Sequence, residues 1–471
     1  MPPAQNPPTP QNPATPQTPD TPQTPATRKP LDTRKTTAAD TAPASHEPPA
    51  AEDAQVIVVG AGPAGSSTAV HLARAGVDVL LLEKSQFPRD KVCGDGLTPR
   101  GVHQLLRMGL DIDAPGWTRS RGMRWVCGGR QVTIDWPDLG RYPDFGLTRS
   151  RHDFDDILAR HAEASGARLR LGVKATGPLT DRAGRITGVT ATGPDGRPVT
   201  YRAPLVIAAE GASARTALAM GLERDAGRPL ATAARRYYLN DELSKDEYLE
   251  LWADLRCART GRDLPGYGWI FPLGDGRVNV GLGALPHRDG TGTDLRATLD
   301  QWLARLPRQW DLNEQSADSP LRSAALPMGF NRHPQYSRGL LLVGDSAGMI
   351  SPWSGEGIAQ AMEAAEVAAD TVVLALTRPD GYRREQALHR YPAEMRRRWG
   401  RYYRLGNTAG DLVFSRFGYR PILNQYVMAR PGLIASLARL LTHLMEEPPR
   451  DTADHVLNAL VRAVPLHRRR R

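Results

Sequence analysis

The sequence predicts an α/β fold: a Rossmann-type dinucleotide-binding domain, a second sheet-based domain and a helical C-terminal region. Three observations carry this. First, Val56-Ile57-Val58-Val59 runs into Gly60-Ala61-Gly62-Pro63-Ala64-Gly65, followed by a helix-like stretch, Ser66 to Ala75, and a second apolar run, Val77 to Leu82, ending at Glu83. Second, a buried apolar run leading into a small-residue turn returns at Leu205 to Ser213 and again at Gly339 to Gly348. Third, the stretches between alternate apolar and polar residues as sheet strands do.

The opening unit has a physical reason at each position. Gly60 permits the tight turn. Gly62 lets the backbone approach a pyrophosphate, which sits at the positive end of the helix dipole. Gly65 allows close packing of helix on strand, and Ala64 completes the phosphate-side turn. Glu83 can accept hydrogen bonds from ribose hydroxyls, and its neighbour Lys84 is grouped with it as cofactor-binding. A GxGxxG alone is weak; here the strand before, the helix after and the acid in register strengthen it.

At 471 residues the chain has room for more than one domain. No apolar run approaches the ~20 residues that a membrane span needs, and the first residues lack the apolar core of a signal peptide. A cytoplasmic protein is expected, one that can work at the inner face of the cell membrane. Cys93, Cys127 and Cys257 suggest neither a disulfide framework nor a metal site. The net charge is +10. Much of it is local, at Arg396, Arg397, Arg398, Arg401 and Arg404 and at Arg468 to Arg471. Arginines interleaved with Trp399, Tyr402 and Tyr403 are read as a solvated helix face rather than a nucleic-acid surface; no nucleic-acid partner is expected.

In chain order, residues 1–52 are rich in Pro, Thr, Gln and Ala, with a repeated TPQTP element, and are expected to be disordered. The cofactor-binding domain is expected from 53–110 with 150–225 and 336–390, the second domain from 111–149 with 226–335, and the helical region from 391–471. Phe87 to Gly101 is rich in Gly, Pro and charge and reads as a loop, with Val102 to Gly109 as a helix. Arg124 to Val126 and Gln131 to Trp136 read as strands. Arg151 opens a helix running to Ser165, and Ala167 to Val173 is a strand. Pro194-Asp195-Gly196 marks a hairpin between Ile186 to Thr192 and Val199 to Arg202. Leu264 to Pro272 and Arg277 to Gly283 are strands about Gly274-Asp275-Gly276. Leu295 to Leu306 is an amphipathic helix. Ser351 to Gly357 leads into a long small-residue helix, Ile358 to Leu376. Pro431 to Met445 carries a stripe of Leu433, Leu437, Leu440, Leu441 and Leu444, read first as core packing and second as a face for a bilayer.

Gly60 to Gly65, Cys93-Gly94-Asp95-Gly96-Leu97-Thr98-Pro99-Arg100, Tyr267-Gly268-Trp269-Ile270-Phe271-Pro272 and Gly344-Asp345 occur in that order. The chain resembles the geranylgeranyl reductase family of FAD-dependent prenyl reductases, and within it the actinobacterial menaquinone reductases, over about Gln55 to Met445. The resemblance implies a p-hydroxybenzoate hydroxylase-like fold with a discontinuous FAD domain and FAD as cofactor. It implies an isoprenoid lipid substrate, menaquinone-like; it names no electron donor. By the same resemblance Glu83 binds the adenosine ribose, Arg151 lies by the FAD, and Gly344-Asp345 meets the ribityl or pyrophosphate part. Relatives commonly carry Asp-Gly where this chain has Glu210-Gly211, so that role is not carried over.

Saturating an isolated prenyl double bond requires a hydride and a proton. No side chain supplies a hydride; a reduced flavin does. The turn Gly355-Glu356-Gly357, with Ile358 opening the helix, offers N–H groups and a positive dipole to the reduced ring. Cys93 and Gly94 sit in a loop that in the family faces flavin and substrate, and Cys93 is a candidate proton donor or positioning group. Tyr267, Trp269 and Phe271 share one strand face; they are candidate pocket residues, Tyr267 and Trp269 with a catalytic part. Lys91 and Asp95 are loop charges, read first as solvated and second as contacts to flavin or quinone. Alternative readings are a flavin monooxygenase or halogenase on the same fold, a geranylgeranyl diphosphate or chlorophyllide reductase, and a flavin-containing prenyl-lipid carrier. A lipid drawn from a bilayer implies a peripheral membrane contact, which removal of residues from Pro431 onward is expected to weaken.

Overall fold

A computed structural model describes residues 51–287, 289–415, 422–446 and 448–465 of the chain. The expected disordered tail, but for its last residues, and Arg468 to Arg471 lie outside the described residues.

Val56–Val59 is a strand with every side chain buried, as expected of a central parallel strand covered on both faces. It lies inside a six-stranded sheet ordered Tyr336–Ser337, Leu340–Leu342, Leu205–Ala208, Val56–Val59, Val79–Glu83 and Arg168–Leu171. Val206 pairs in parallel with Ile57 and with Leu340. The three apolar runs read from the sequence therefore return to one sheet. Helix Pro63–Arg74 covers it beside Ile358–Leu376, and small residues let the backbones come close: a Cβ on Gly344 would lie 2.9 Å from Cβ of Ala64. The expected hairpin is there too, with Ile186–Thr192 antiparallel to Pro198–Arg202. It sits in a separate four-stranded sheet that also takes in Lys174–Thr180, a strand the pattern did not reveal.

The second large sheet has seven strands, ordered Arg322–Pro327, Leu230–Leu239, Arg277–Ala284, Gly266–Pro272, Tyr248–Trp252, Gly122–Cys127 and Arg130–Asp135. Its pairings are antiparallel except for Tyr248–Trp252 with Gly122–Cys127, which is parallel. Trp269 faces Gly281 across the sheet, where an added Cβ would meet the indole at 2.4 Å. The glycine makes room for the ring.

One expectation needs correction between the two sheets. The stretch Phe87 to Gly101 is not all loop: Gly96–Leu97 pairs with Leu147 and Thr148, and the following helix starts at Pro99, ending at Arg107. Proline suits the first helical position, where its missing N–H is not needed. This seats Arg100 in a helix rather than a loop.

In the C-terminal region the arginine–aromatic pattern separates by helix face. Trp399, Tyr402 and Tyr403, on helix Arg390–Ser415, are each 1% exposed. The Tyr402 hydroxyl donates to the Leu440 carbonyl at 2.7 Å and that of Tyr403 to Met349 at 2.5 Å. Arg397 and Arg398 sit outside and pair with Glu394. The aromatics are core, not a base-stacking surface. Helix Pro431–Thr442 carries the leucine stripe. Leu440 and Leu444 are buried, Leu437 and Leu441 half-buried, and Leu433 is exposed. Ile434, Ala438 and Leu444 join an apolar cluster with Met123, Trp136 and Leu249 from the second domain. The stripe is chiefly core, so truncation at Pro431 would open the fold rather than test a surface.

Ile434 is fully buried and Leu433 half exposed. Ile434→Ala is expected to cost about 2–5 kcal/mol, and Leu433→Ala within about 0.5 kcal/mol. Denaturant unfolding checks this; equal effects would contradict a core role for the helix.

Candidate active site

One cavity of about 550 Å³ lies between the parallel sheet, the seven-stranded sheet and the start of helix Ile358–Leu376. Its walls include Gly60, Gly62, Ala64, Glu83, Lys84, Cys93, Gly94, Arg151 and Asp345. Tyr267, Trp269, Phe271, Gly355, Gly357 and Ile358 complete the set. Residues read from four distant sequence segments thus meet around one space. Gly65 and Gly344 do not line it. They act behind the wall, where a Cβ on Gly65 would lie 1.8 Å from the Gly60 carbonyl oxygen.

At one end, Gly60 has φ +100°, and a Cβ there would lie 2.5 Å from the Ala209 carbonyl oxygen, so the turn requires glycine. Gly62 is the N-cap of helix Pro63–Arg74 and supplies no side-chain cap, which leaves the first helical N–H groups for a ligand. The nearest atoms to a Cβ on Gly62 would be at 3.8 Å and beyond. Glu83 is almost wholly buried. Its carboxylate accepts from the Ala61 N–H and the Ser85 N–H, both at 3.0 Å, and so is fixed beside the turn. Arg89 spans Glu83 and Asp155, at 3.5 and 3.0 Å. Arg151 is held bidentate by Asp155 at 2.6 and 2.8 Å, one helical turn on. Glu210 also lines the cavity and accepts from the Thr216 N–H at 2.9 Å.

At the other end, the Cys93 loop presses on the aromatic strand. A Cβ on Gly94 would lie 3.0 Å from the Phe271 ring and 3.4 Å from Trp269 Nε1. Asp95, read from sequence as a solvated loop charge, is 1% exposed. It is the centre of a buried network. One carboxylate oxygen accepts from the Arg151 N–H at 3.2 Å; the other accepts from the Tyr237 hydroxyl at 2.6 Å and the Asn279 amide at 2.8 Å. The same Asn279 amide donates to the Cys93 carbonyl at 2.8 Å, and its oxygen accepts from Trp269 Nε1 at 2.9 Å. Arg235, fully buried, stacks its guanidinium over Tyr237 at 4.0 Å and pairs with Asp90. Burial raises the Asp95 carboxyl to about 6, while Tyr237, Arg235, Asn279 and Arg151 pull it down. Burial also pushes the Cys93 thiol up against the pull of Arg151, so the group is a neutral thiol. The indole N–H of Trp269 is taken by Asn279, and the Tyr267 hydroxyl donates to the Ser354 carbonyl at 2.5 Å.

Helix Ile358–Leu376 begins at Gly357, again with no side-chain cap. A second uncapped helix start therefore opens on the cavity. Behind it Arg100 holds Glu363 bidentate, at 2.9 and 2.5 Å, and donates to the His443 carbonyl at 2.7 Å. This ties the first domain to the C-terminal helix. Sequence reading missed Tyr237, Asn279, Asp155, Arg89 and the Arg100–Glu363 pair; the strand alternation that buries Tyr237 and Asn279 was the only signal for them.

Two uncapped helix starts on one cavity, with an acid fixed at the end of the second parallel strand, mark the site of a dinucleotide-binding protein. The chain matches the FAD-binding domain model over residues 53–403. It is 35% identical to the menaquinone reductase of Mycobacterium tuberculosis strain H37Rv over 403 residues, 85% of this chain and 93% of that protein. It is 31% identical to digeranylgeranylglycerophospholipid reductase 1 of Methanopyrus kandleri over 335 residues, 69% of this chain and 82% of that one. A geranylgeranyl bacteriochlorophyll reductase-like protein of Thermoplasma acidophilum shares the fold, with TM-score 0.66 and 23% identity over 87% of this chain and 96% of the other. The chain belongs to the geranylgeranyl reductase family of FAD-dependent oxidoreductases.

The residues present fit FAD. The approach over Gly62 is open, the helix N–H groups there have no side-chain cap, and Glu83 is held at the ribose distance in sequence and on the cavity wall. Among the described residues there is no His, Cys, Asp or Glu cluster that could hold a metal ion.

Asn279→Leu, near-isosteric, removes a donor to ionised Asp95 and is expected to cost about 1–3 kcal/mol. Asp95 ionises near 6 in the folded protein with the Asn279 donor in place; without it the carboxyl rises further, so the loss should be full above the variant's raised value, shrink as pH falls toward about 6, and leave below it only the part due to the unpaired Cys93 carbonyl and Trp269 indole. Denaturant unfolding at both sides of that pH decides; a pH-independent loss would contradict the role given to Asp95.

Proposed function

We propose that this enzyme saturates a double bond in the prenyl chain of an isoprenoid lipid, and that the lipid is menaquinone-like. The observation that carries the reading is the composition of the cavity's far end. Tyr267, Trp269 and Phe271 stand in a row, with ring centres 6.2 and 6.3 Å apart. Met123, Leu249, Leu251 and Trp136 continue the apolar wall beyond them. Such a lining suits a hydrocarbon chain and offers a quinone ring or diphosphate little beyond its mouth. The likeness to the mycobacterial menaquinone reductases supports the choice of lipid.

In this reading Gly60, Gly62, Ala64 and Gly65 shape the phosphate turn, and Glu83 and Lys84 serve the adenosine end. Arg151 and Gly344-Asp345 serve the middle. Cys93-Gly94 and the Gly355, Gly357 and Ile358 helix start border the ring. FAD, when bound and reduced, supplies the hydride. The protein's own part is to lay the double bond along the aromatic row, to exclude water, and to place positive dipole ends where negative charge accumulates.

A lipid of this kind must come from a membrane. Among the described residues no helix is long and apolar enough to cross one. Ile422, Tyr426 and Leu433 are exposed, while Leu423, Met428 and Ile434, next to them in the chain, share the apolar cluster of the cavity residues Met123, Trp136 and Leu249. In this reading the exposed three form the membrane-facing edge.

The test is mass spectrometry of a polyprenyl quinone incubated anaerobically with FAD-loaded, dithionite-reduced enzyme. A gain of two hydrogens in the side chain is expected; a strict need for oxygen, or a changed ring with an unchanged chain, would contradict it. Changing Ile422, Tyr426 and Leu433 together to Ser is expected to reduce flotation with liposomes without altering the melting temperature; unchanged flotation would remove the membrane edge.

A further inference from the structure

We propose that Glu356 is the proton donor of the reaction, its carboxyl Oε–H supplying the hydrogen that the hydride does not. This rests on the prenyl-reduction reading above. Five acids lie on the cavity wall: Glu83, Asp90, Glu210, Asp345 and Glu356. Glu83 is engaged by two backbone N–H groups and Arg89, Asp90 by Arg235 and Arg322, and Glu210 by the Thr216 N–H. Asp345 faces the charges of Lys91 and Arg151. Glu356 differs from Glu83, Asp90 and Glu210 in that neither an arginine nor a backbone N–H holds its carboxyl, and from Asp345 in that its one nearby cation, Arg100, is opposed by an acid, Glu363. Its hydrogen-bond partners are neutral: the Thr98 hydroxyl at 2.6 Å and the Gln360 amide at 3.5 Å.

The charged and titratable groups facing Glu356 come from each packed element. Arg100 is the nearby cation, but its fork is committed to Glu363 and the His443 carbonyl. Glu363, on the same helix, opposes ionisation. Tyr267, from the aromatic strand, and Tyr402 and Tyr403, from helix Arg390–Ser415, sit in its field as neutral phenols. Cys93 is the other titratable group in the field of Tyr267. Burial pushes the Glu356 carboxyl up to about 7, with Thr98, Arg100 and Gln360 pulling the other way. A carboxyl so placed keeps its proton near neutral pH and releases it far more readily than the Cys93 thiol, which burial has pushed above its ordinary value. Both groups line the cavity with Tyr267 and lie in the field of its phenol.

The step balances as follows. The alkene π bond breaks. One new C–H bond forms with the hydride, which brings both electrons from reduced FAD; the other forms with the proton of Glu356. The substrate is reduced by two electrons and the flavin oxidised by two. Glu356 is left as a carboxylate and takes its proton back from water; in the assay dithionite returns the electrons to the flavin.

The experiment uses the full-length, FAD-loaded protein with Glu356→Gln and Glu356→Asp. Anaerobic single turnovers are run with dithionite-reduced enzyme and a detergent-dispersed polyprenyl quinone. Glu356→Gln should keep its FAD content and lose about 100-fold or more in rate, Glu356→Asp should recover part of it, and the wild-type rate should fall as pH rises through about 7. Independently of turnover, infrared titration of the FAD-loaded protein should show a protonated-carboxyl C=O band that disappears near that pH and is absent in Glu356→Gln. A Glu356→Gln enzyme within about twofold of wild type, or a wild-type spectrum lacking the titrating band, overturns the assignment. If the wild type saturates no prenyl chain, the reading of the function fails, and the infrared titration still decides whether Glu356 holds the proton.

Discussion

The site depends on one buried contact, the hydrogen bonds by which Asn279 joins Asp95, the Cys93 carbonyl and the Trp269 indole. A buried carboxylate is costly unless donors surround it. Asp95 has them from three directions: the N–H that opens the Arg151 helix, the Tyr237 hydroxyl and the Asn279 amide. These donors belong to the first domain and to two strands of the seven-stranded sheet. Satisfying one acid therefore fixes how the cofactor-side helix, the Cys93 loop and the aromatic strand meet. A second tie acts on the opposite side, where Arg100 binds Glu363 and the C-terminal His443 carbonyl. Between them the two contacts hold the walls of a cavity that no single element encloses.

The cavity has unlike ends for a physical reason. Toward Gly60 and Gly62 the wall is backbone and charge, suited to phosphate and ribose. Toward Tyr267, Trp269 and Phe271 it is aromatic, and the Trp269 donor is already satisfied. In the proposed reading the first end takes the polar parts of the cofactor, and the aromatic row offers shape and dispersion, with Glu356 and Cys93 as the titratable groups beside it. This arrangement is what a reaction on an unpolarised hydrocarbon needs, since the chemistry comes from the cofactor and from one well-placed proton.

Much of this was legible in the sequence, because it is local. Val56 to Glu83 carries its strand, turn, helix and acid within one unit, and the period of two puts Tyr267, Trp269 and Phe271 on one face. Ile358–Leu376 was read with the bounds the structure gives it. What was not legible is long-range. Asn279 meets Asp95 across 184 residues and Thr98 meets Glu356 across 258, and no periodicity encodes such pairs. Asp95 looked solvated because its neighbours are glycine and proline, the signature of a loop; its burial follows from a strand that arrives much later. Tyr402 and Tyr403 misled in the opposite sense, since arginines adjacent in sequence occupy another face of the same helix.

The central claim is that electrons reach the prenyl chain and not merely a quinone ring. Anaerobic stopped-flow absorbance of the reduced, FAD-loaded enzyme tests it most directly, with a polyprenyl chain carried on a naphthoquinol dimethyl ether, a headgroup that accepts no electrons. The account predicts that the flavin reoxidises with the unsaturated chain and stays reduced with its fully saturated counterpart. Reoxidation at the same rate by both, or by neither, would contradict it.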